Sequence, residues 1–471
     1  MKENIKLAWR NLWRNKRRTL ITSASIFFAV FFAVLMRSFQ LGTYSHMIHQ
    51  SIESYLGYLQ IQDPEYYYDP SIDNSFEYNQ ELIDEIAETE GIKAIVPRIT
   101  SFSYASFGQQ SKGTIITGIN PEKEMEASNP KHHLVRYRLS DSAINEIKNK
   151  FALSDNILDL LEQFANTSFK SMDAVKQALK LNDKEHSEII AGIKKYAKFK
   201  GEYLSQNDDG VLVSDKLSKF LKINVGDTLV LIGQGFHGAS AAGLFPVRGI
   251  VKIPSIDLDN KLIYMSLNRA QEYLTMPGMI SSLSINLKNP DDMLDVQEEL
   301  TSKTDAQKYI VKNWEELNPT LKQQIEGDSK SGQIFMAILY IIIFFGIFGT
   351  VLMMIAERKR EFGVLVAIGM KKSKLSFILT IEMIFIGLVG TISGLLTCTP
   401  IIILGYYNPV KLTGSLAKMM EDMGFDPVMP MQWFDNYFYY QAIIVIVMVI
   451  IASYIPLKSI RKMKVNESLR A

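Results

Sequence analysis

The sequence predicts an α-helical membrane protein with four transmembrane helices, arranged one plus three, and a large extracytoplasmic α+β domain between the first and second. Three observations predict it. The apolar residues of the 471-residue chain collect in four blocks, each near the ~20 residues that a helix needs to cross hydrocarbon. Residues 43–331, between the first two blocks, have the mixed composition of a globular domain. Lys and Arg gather beside the blocks on one side only, which sets orientation. Bulk figures hide this pattern: 47% apolar, 21% charged and a net charge of +1 would suit a soluble two-domain protein.

The elements follow in chain order. Residues 1–18 place Ile5, Trp9, Leu12 and Trp13 on one helical face and Lys6, Arg10, Arg14 and Arg17 mostly on another, as expected of a cytoplasmic interfacial helix. Residues 19–42 form the first span, with an uncharged centre at 26–36. Its length, and the absence of a small-residue cleavage pattern near Arg37, favour a retained anchor over a signal peptide. The second span is 332–356, the third 375–405 with a single acid, Glu382, and the fourth 437–457.

The segment 357–374 connects the second and third spans and holds Glu357-Arg-Lys-Arg-Glu-Phe-Gly-Val-Leu-Val-Ala-Ile-Gly-Met370, then Lys371, Lys372 and Lys374. Charged, then amphipathic, then basic, it cannot lie in hydrocarbon and belongs at a membrane surface. The connection at 406–436 carries only Lys411 and Lys418 against Glu421, Asp422, Asp426 and Asp435, whereas the tail at 458–471 is basic again. Both termini and 357–374 are therefore expected on the cytoplasmic side, and 43–331 outside, in a periplasm if the cell has two membranes.

Within 43–331, β-branched runs at 58–62, 92–96, 114–117, 211–213, 227–232, 246–251, 262–265 and 282–287 read as strands, with Pro97 as a break and a helix near 81–90. Residues 139–203 read as a helical insertion. Gly233-Gln-Gly235-Phe-His-Gly238 matches G-x-G-x-x-G, but the helix that should follow is missing, so a flexible hairpin loop is expected in place of a nucleotide site. No G-x-x-x-x-G-K-[ST] occurs, so no ATP site is expected here. His132 with His133, and His46 with His49, lack the company of a metal site. No catalytic constellation emerges, and the lone Cys398 reads as a small buried hydrophobe. Gly387, Gly390 and Gly394 would permit close helix packing in the third span, and Glu382 should face protein or water.

In this order, several segments resemble the permease subunits of MacB/FtsX/LolC-LolE ABC transporters over essentially the whole chain. They are Ala8-Trp-Arg-Asn-Leu-Trp-Arg-Asn-Lys-Arg-Arg-Thr19, Gly210-Val-Leu-Val-Ser-Asp-Lys-Leu217, Leu221-Lys-Ile-Asn-Val-Gly-Asp-Thr228, Leu262-Ile-Tyr-Met-Ser-Leu-Asn-Arg-Ala-Gln271, residues 357–370 and Pro456-Leu-Lys-Ser-Ile-Arg-Lys-Met-Lys-Val-Asn-Glu-Ser-Leu-Arg470. The nearest likeness, carried by Asp257-Leu-Asp-Asn260 followed by Leu262 to Gln271, is to the lipoprotein-releasing LolC and LolE subunits, and it implies a bacterial inner (cytoplasmic) membrane.

The resemblance implies a non-catalytic permease that moves its outer domain when a cytoplasmic ATPase dimer, holding ATP and Mg, presses on a coupling helix. The coupling residues are then Glu357, Arg358, Glu361, Gly363, Leu365, Gly369 and Met370, with Phe362, Leu365 and Ile368 as the apolar face. A second permease subunit, identical or a sibling, is implied, with membrane lipid around both and no nucleic acid. A periplasmic lipoprotein carrier is a candidate partner through the loop 233–246, with Gly233, Gly235, Phe236, Phe245 and Pro246. Alternatives are a MacB-like efflux mechanotransmitter, an FtsX-like regulator of wall hydrolases and, outside transport, a membrane receptor.

Overall fold

The computed structural model describes residues 9–10, 12–13 and 16–461. Most of the predicted interfacial helix, including Lys2, Ile5, Lys6 and Arg14, lies outside the described residues, as do Lys462, Lys464 and Arg470 of the tail. The chain divides into two units, Met1–Ser45 with Gln323–Val410 and Met429–Ala471, and His46–Lys322 with Lys411–Val428.

The first unit is helical. Its elements are α1 (Lys16–Ile48), α2 (Pro319–Glu357), the short α3 (Lys359–Ala367), α4 (Lys372–Tyr407) and α6 (Asn436–Arg461); α5 (Gly414–Asp422) lies in the other unit. An apolar run in lipid must satisfy its backbone internally, which the apolar stretches of these elements do as helix. Among the described residues, three helices are long and apolar enough to cross a membrane: Thr19–Leu56, Pro319–Glu357 and Lys372–Tyr407. The expectation of four is met only to that extent. The apolar part of α6 that is described, Asn436–Ala452, is shorter than that.

Helix α4 is the centre of this unit. A Cβ on Gly390 would lie 2.7 Å from Ile26 Cβ and 2.8 Å from the Ser23 carbonyl oxygen, and one on Gly394 would lie 3.0 Å from Val30 Cβ. These glycines let α1 approach α4 to backbone distance. Gly387 meets α6 instead, where its Cβ would come 3.2 Å from Val449. Cys398 is buried against α1, its thiol 3.4 Å from the Phe31 carbonyl.

The second unit is built on a nine-stranded mixed sheet: β1 (Leu59–Gln62), β2 (Ile92–Phe107), β3 (Gln110–Ile119), β4 (Val211–Ser214), β5 (Thr228–Gln234), β6 (Ser240–Val251), β7 (Leu262–Ser266), β8 (Ser282–Leu287) and β9 (Ile310–Asn313). Spatial order is β9-β1-β8-β2-β3-β7-β4-β6-β5, and β2 pairs again with β5. Six strands, β2-β3-β7-β4-β6-β5, thus close on themselves. Strand β2 makes this possible because it is 16 residues long. It pairs with β8 along its first half and with β5 at Ser103 to Ser106 along its second. Pro97, read from sequence as a break, sits inside β2 opposite Leu283.

Two further features differ from expectation. Residues 233–246 are not a flexible loop but most of the β5–β6 hairpin, paired from Thr228 opposite Pro246 to Gln234 opposite Ser240. Gly233 lies on the closing seam opposite Ser103, where a Cβ would come 3.0 Å from the Phe102 carbonyl oxygen. Residues 411–428, expected to belong to a plain loop between spans, are part of the second unit. There α5 joins the helical lobe of Asp141–Lys150, Asp155–Gln163, Met172–Ala178 and Ser187–Tyr196, with Ala417 buried in the same core as Leu160, Phe164 and Ile193.

Lobe and sheet meet at a buried carboxylate pair. Asp215 takes bonds from Arg138 (2.7 Å), Lys219 (2.5 Å) and Ser168 (2.6 Å). Burial works to raise its pKa, and the Lys219 and Arg138 charges outweigh it, leaving the carboxyl below its ordinary range. Asp259 accepts from the backbone N–H groups of Asp215 (3.2 Å) and Ile253 (3.1 Å) through one oxygen. Burial, then the Asp215 charge, pushes it up to about 6. An aspartate raised on folding binds extra protons in the folded state, so its contribution is fully present below about pH 4 and is lost as pH rises through 6. Asp259→Asn keeps the accepting oxygen without the charge. It should stabilise the domain by on the order of 2 kcal/mol at pH 7.5 and by almost nothing at pH 4, measured by thermal unfolding at the two pH values.

Candidate functional site

The connector between α2 and α4 forms from strong local signals. Helix α2 ends at Glu357, the chain breaks at Arg358 (φ −95°, ψ 5°), and α3 runs from Lys359 to Ala367. Gly369 ends it with φ +107°, a conformation that a side chain would strain. The Gly369 N–H donates to the Val366 carbonyl and the Met370 N–H to the Leu365 carbonyl, each at 3.0 Å. That bond pair is a Schellman turn, which satisfies the last carbonyls of α3 and turns the chain toward α4.

An ion pair seats α3. Arg358 is only 5% exposed and Glu382, on α4, only 3%. Arg358 Nη1 donates to both carboxylate oxygens of Glu382 at 3.1 Å, and Nε to Glu361 at 3.3 Å. The guanidinium also lies 5.2 Å from the centre of the Phe362 ring. Beneath it Phe362 forms an apolar cluster with Leu375 and Leu379 of α4, flanked by Ile355, Val366 and Met370. Glu382 thus faces protein, and its partner is a residue that the sequence places in the surface connector. An acid inside an apolar run, with an arginine one short helix away, was the available signal.

The predicted apolar face of α3 divides in two. Phe362, expected to face a partner, is buried against α4, and Gly363 is buried as well. Val364, Leu365 and Ile368 remain exposed, Ile368 at 78%, beside exposed Arg360, Lys371 and Lys374. Gly369 forms the turn and Glu357 closes α2, and both are exposed. The glycines of α4 line intramolecular packing, as described above.

The loop proposed for a carrier is elsewhere, in the second unit. Phe245 is fully buried in β6 and packs edge-on to Tyr273 at 5.3 Å; Pro246 lies in the same strand. Gly235 and Phe236 begin the tight turn. The alternation of a strand, not a mobile loop, decides which residues point out, and the large apolar ones among these are Ile232 and Leu244. Among the described residues no group of three His, Cys, Asp or Glu could hold a metal ion.

Comparison with known proteins follows these elements. Residues 333–465 match the FtsX-like permease C-terminal family. A curated relative, an uncharacterized ABC transporter permease protein of Mycobacterium tuberculosis, is 23% identical over 221 residues, which is 46% of this chain and 24% of that protein. The chain therefore spans about a quarter of that relative's length. Solved structures similar to it include the extracellular domain of the noncanonic ABC-type transporter YknZ from Gram-positive bacteria (TM-score 0.26, 15% identity, 54% of this chain and 99% of that one). Another is the periplasmic region of MacB from Actinobacillus actinomycetemcomitans (TM-score 0.29, 13% identity, 59% and 95%).

Removing one partner of a buried ion pair leaves the other charge unpaired and desolvated. Glu382→Ala should therefore cost about 3–5 kcal/mol in the first unit, while Arg358→Met with Glu382→Leu should cost far less. Thermal unfolding of the detergent-solubilised chain checks both.

Proposed function

We propose that the chain, whose residues 333–465 match the FtsX-like permease C-terminal family, is the membrane subunit of an ABC transporter of the FtsX/MacB type. In this reading it does no chemistry itself. A partner ATPase dimer binds ATP and Mg on the cytoplasmic side and pushes on α3, and the permease works as a pair with an identical or sibling subunit. Helix α6, 26 residues and about 39 Å long, makes the fourth crossing. The Lys and Arg distribution supports placing α3 and both termini in the cytoplasm of a bacterial inner membrane and the sheet-bearing unit outside it.

One observation carries the reading: α3 is fixed by a buried ion pair on its inner side and presents Val364, Leu365 and Ile368 with flanking basic residues on its outer side. A surface loop with no partner has no need of a seated helix with an apolar outer face. The cargo in this proposal is an amphiphile, a lipoprotein drawn from the outer leaflet for transfer to the outer membrane. Support for it is the likeness of 257–271 to the lipoprotein-releasing subunits. A carrier that used the β5–β6 hairpin would meet Ile232 and Leu244, not Phe245.

The partner is tested by affinity purification of the solubilised chain from its own membranes. The native chain should retain an ABC ATPase, and Ile368→Asp should reduce retention about tenfold, a loss typical of an interface anchor, without changing thermal stability. No ATPase on the native chain overturns the reading. Photo-crosslinking from the outer ends of α1 and α2 during ATP turnover should trap acylated protein; a soluble peptide in its place would favour the efflux alternative.

A further inference from the structure

The connection between α4 and α6 sends its central part, residues 411–428, into the second unit. Strand-like residues at its start and end are bonded by one side chain: Gln177 Nε2, from the helical lobe, donates to the carbonyls of Pro427 (2.7 Å) and Leu412 (3.3 Å). In its middle, Ala417 of α5 is fully buried in the core of the lobe, and Lys418 Nζ donates to Thr167 Oγ1 at 2.7 Å.

The next turn carries a charge pair. Glu421 binds Lys252, just past the end of β6, and both side chains are only 5% exposed. Lys252 also donates to the Ser168 carbonyl at 3.1 Å, so one ammonium group ties α5, the lobe and the sheet together. Gly424 follows with φ +85° and packs against the Ile253 carbonyl where no Cβ would fit. Asp426 then pairs with Lys170 at 2.7 Å and accepts from Gln50 Nε2 at 2.7 Å. A solvated loop between helices needs none of these bonds, least of all a buried ion pair, which is costly to break from one side.

We infer that residues 411–428 are a second transmission arm, locked into the helical lobe and covalently suspended between α4 and α6, so that displacement of those helix ends drives the lobe. The inference rests on the transporter reading and adds to it a path apart from α1 and α2. The lobe at 141–196 is then the body that the arm moves. Lys252 and Glu421 act as positioning residues.

Two measurements test it on the full chain. Hydrogen exchange of the solubilised protein should show amides of α5 slowed by about 100-fold or more relative to an open loop. Glu421→Ala should abolish that protection, and Lys252→Met with Glu421→Met should keep it; native α5 exchanging as an open loop overturns the lock. For transmission, spin labels at Lys184 in the lobe and Ser111 in β3, in a Cys398→Ser background, report the lobe-to-sheet distance in the complex with its ATPase, with and without trapped ATP. The native arm should give a nucleotide-dependent shift. Flexible inserts of about ten Gly and Ser residues after Val410 and after Val428 leave the lock intact but slacken both tethers. They should abolish the shift while ATP hydrolysis stays within about twofold. A shift that survives the inserts, or no shift in a native complex that hydrolyses ATP, overturns the arm alone. Failure of the native chain to bind any ATPase overturns the transporter reading and the arm together.

Discussion

The ion pair between Arg358 and Glu382 is the constraint on which the first unit depends. A carboxylate within an apolar helix costs several kcal/mol unless it is paired and hydrogen-bonded. Arg358 supplies both needs through one nitrogen, with both carboxylate oxygens at 3.1 Å. That requirement fixes the break after Glu357, because a continuous α2 would carry the guanidinium onward. It sets α3 down on α4 with Phe362 beneath it, and the Gly369 turn then returns the chain to Lys372. What remains outside is the apolar and basic face that the proposed ATPase would meet.

In the second unit, closure of the sheet plays the corresponding part. Strand β2 serves two neighbours along its length, and the seam it makes with β5 exists because Gly233 has no side chain to hold Ser103 away. The hairpin that follows is therefore wall, with Phe245 inside. The helical lobe attaches through the Arg138, Asp215 and Ser168 cluster and is completed by α5, a helix that the chain delivers from between α4 and α6.

Much of this was legible in the sequence. Long apolar runs announce α1, α2 and α4, and β-branched runs fall in strands, because both signals arise from residues adjacent in the chain. Less legible were features set by distant partners. Pro97 looked like a break because a strand through proline is stable only with neighbours such as Leu283 in place. Gly233 to Pro246 looked flexible because glycine and alanine give no strand signal, whereas the pairing that orders them comes from β2 and across the hairpin. The acid-rich 411–428 looked like a loop because Glu421, Lys252, Asp426 and Lys170 are far apart in sequence. At the candidate site, Glu382 and the coupling segment were each visible, but not that they are one structure. Phe362 was assigned to the wrong side for the same reason.

If the ion pair makes α3 and α4 a single lever, the separation between them must stay fixed while the lever works. Spin labels at Val364 on α3 and Tyr407 at the far end of α4, both exposed, measure that separation in the complex with its ATPase. One narrow distance distribution, the same in the nucleotide-free and ATP-trapped states, is the result expected of a rigid lever. A distance that changes with nucleotide in the native protein would show α3 moving independently of α4 and would contradict the account.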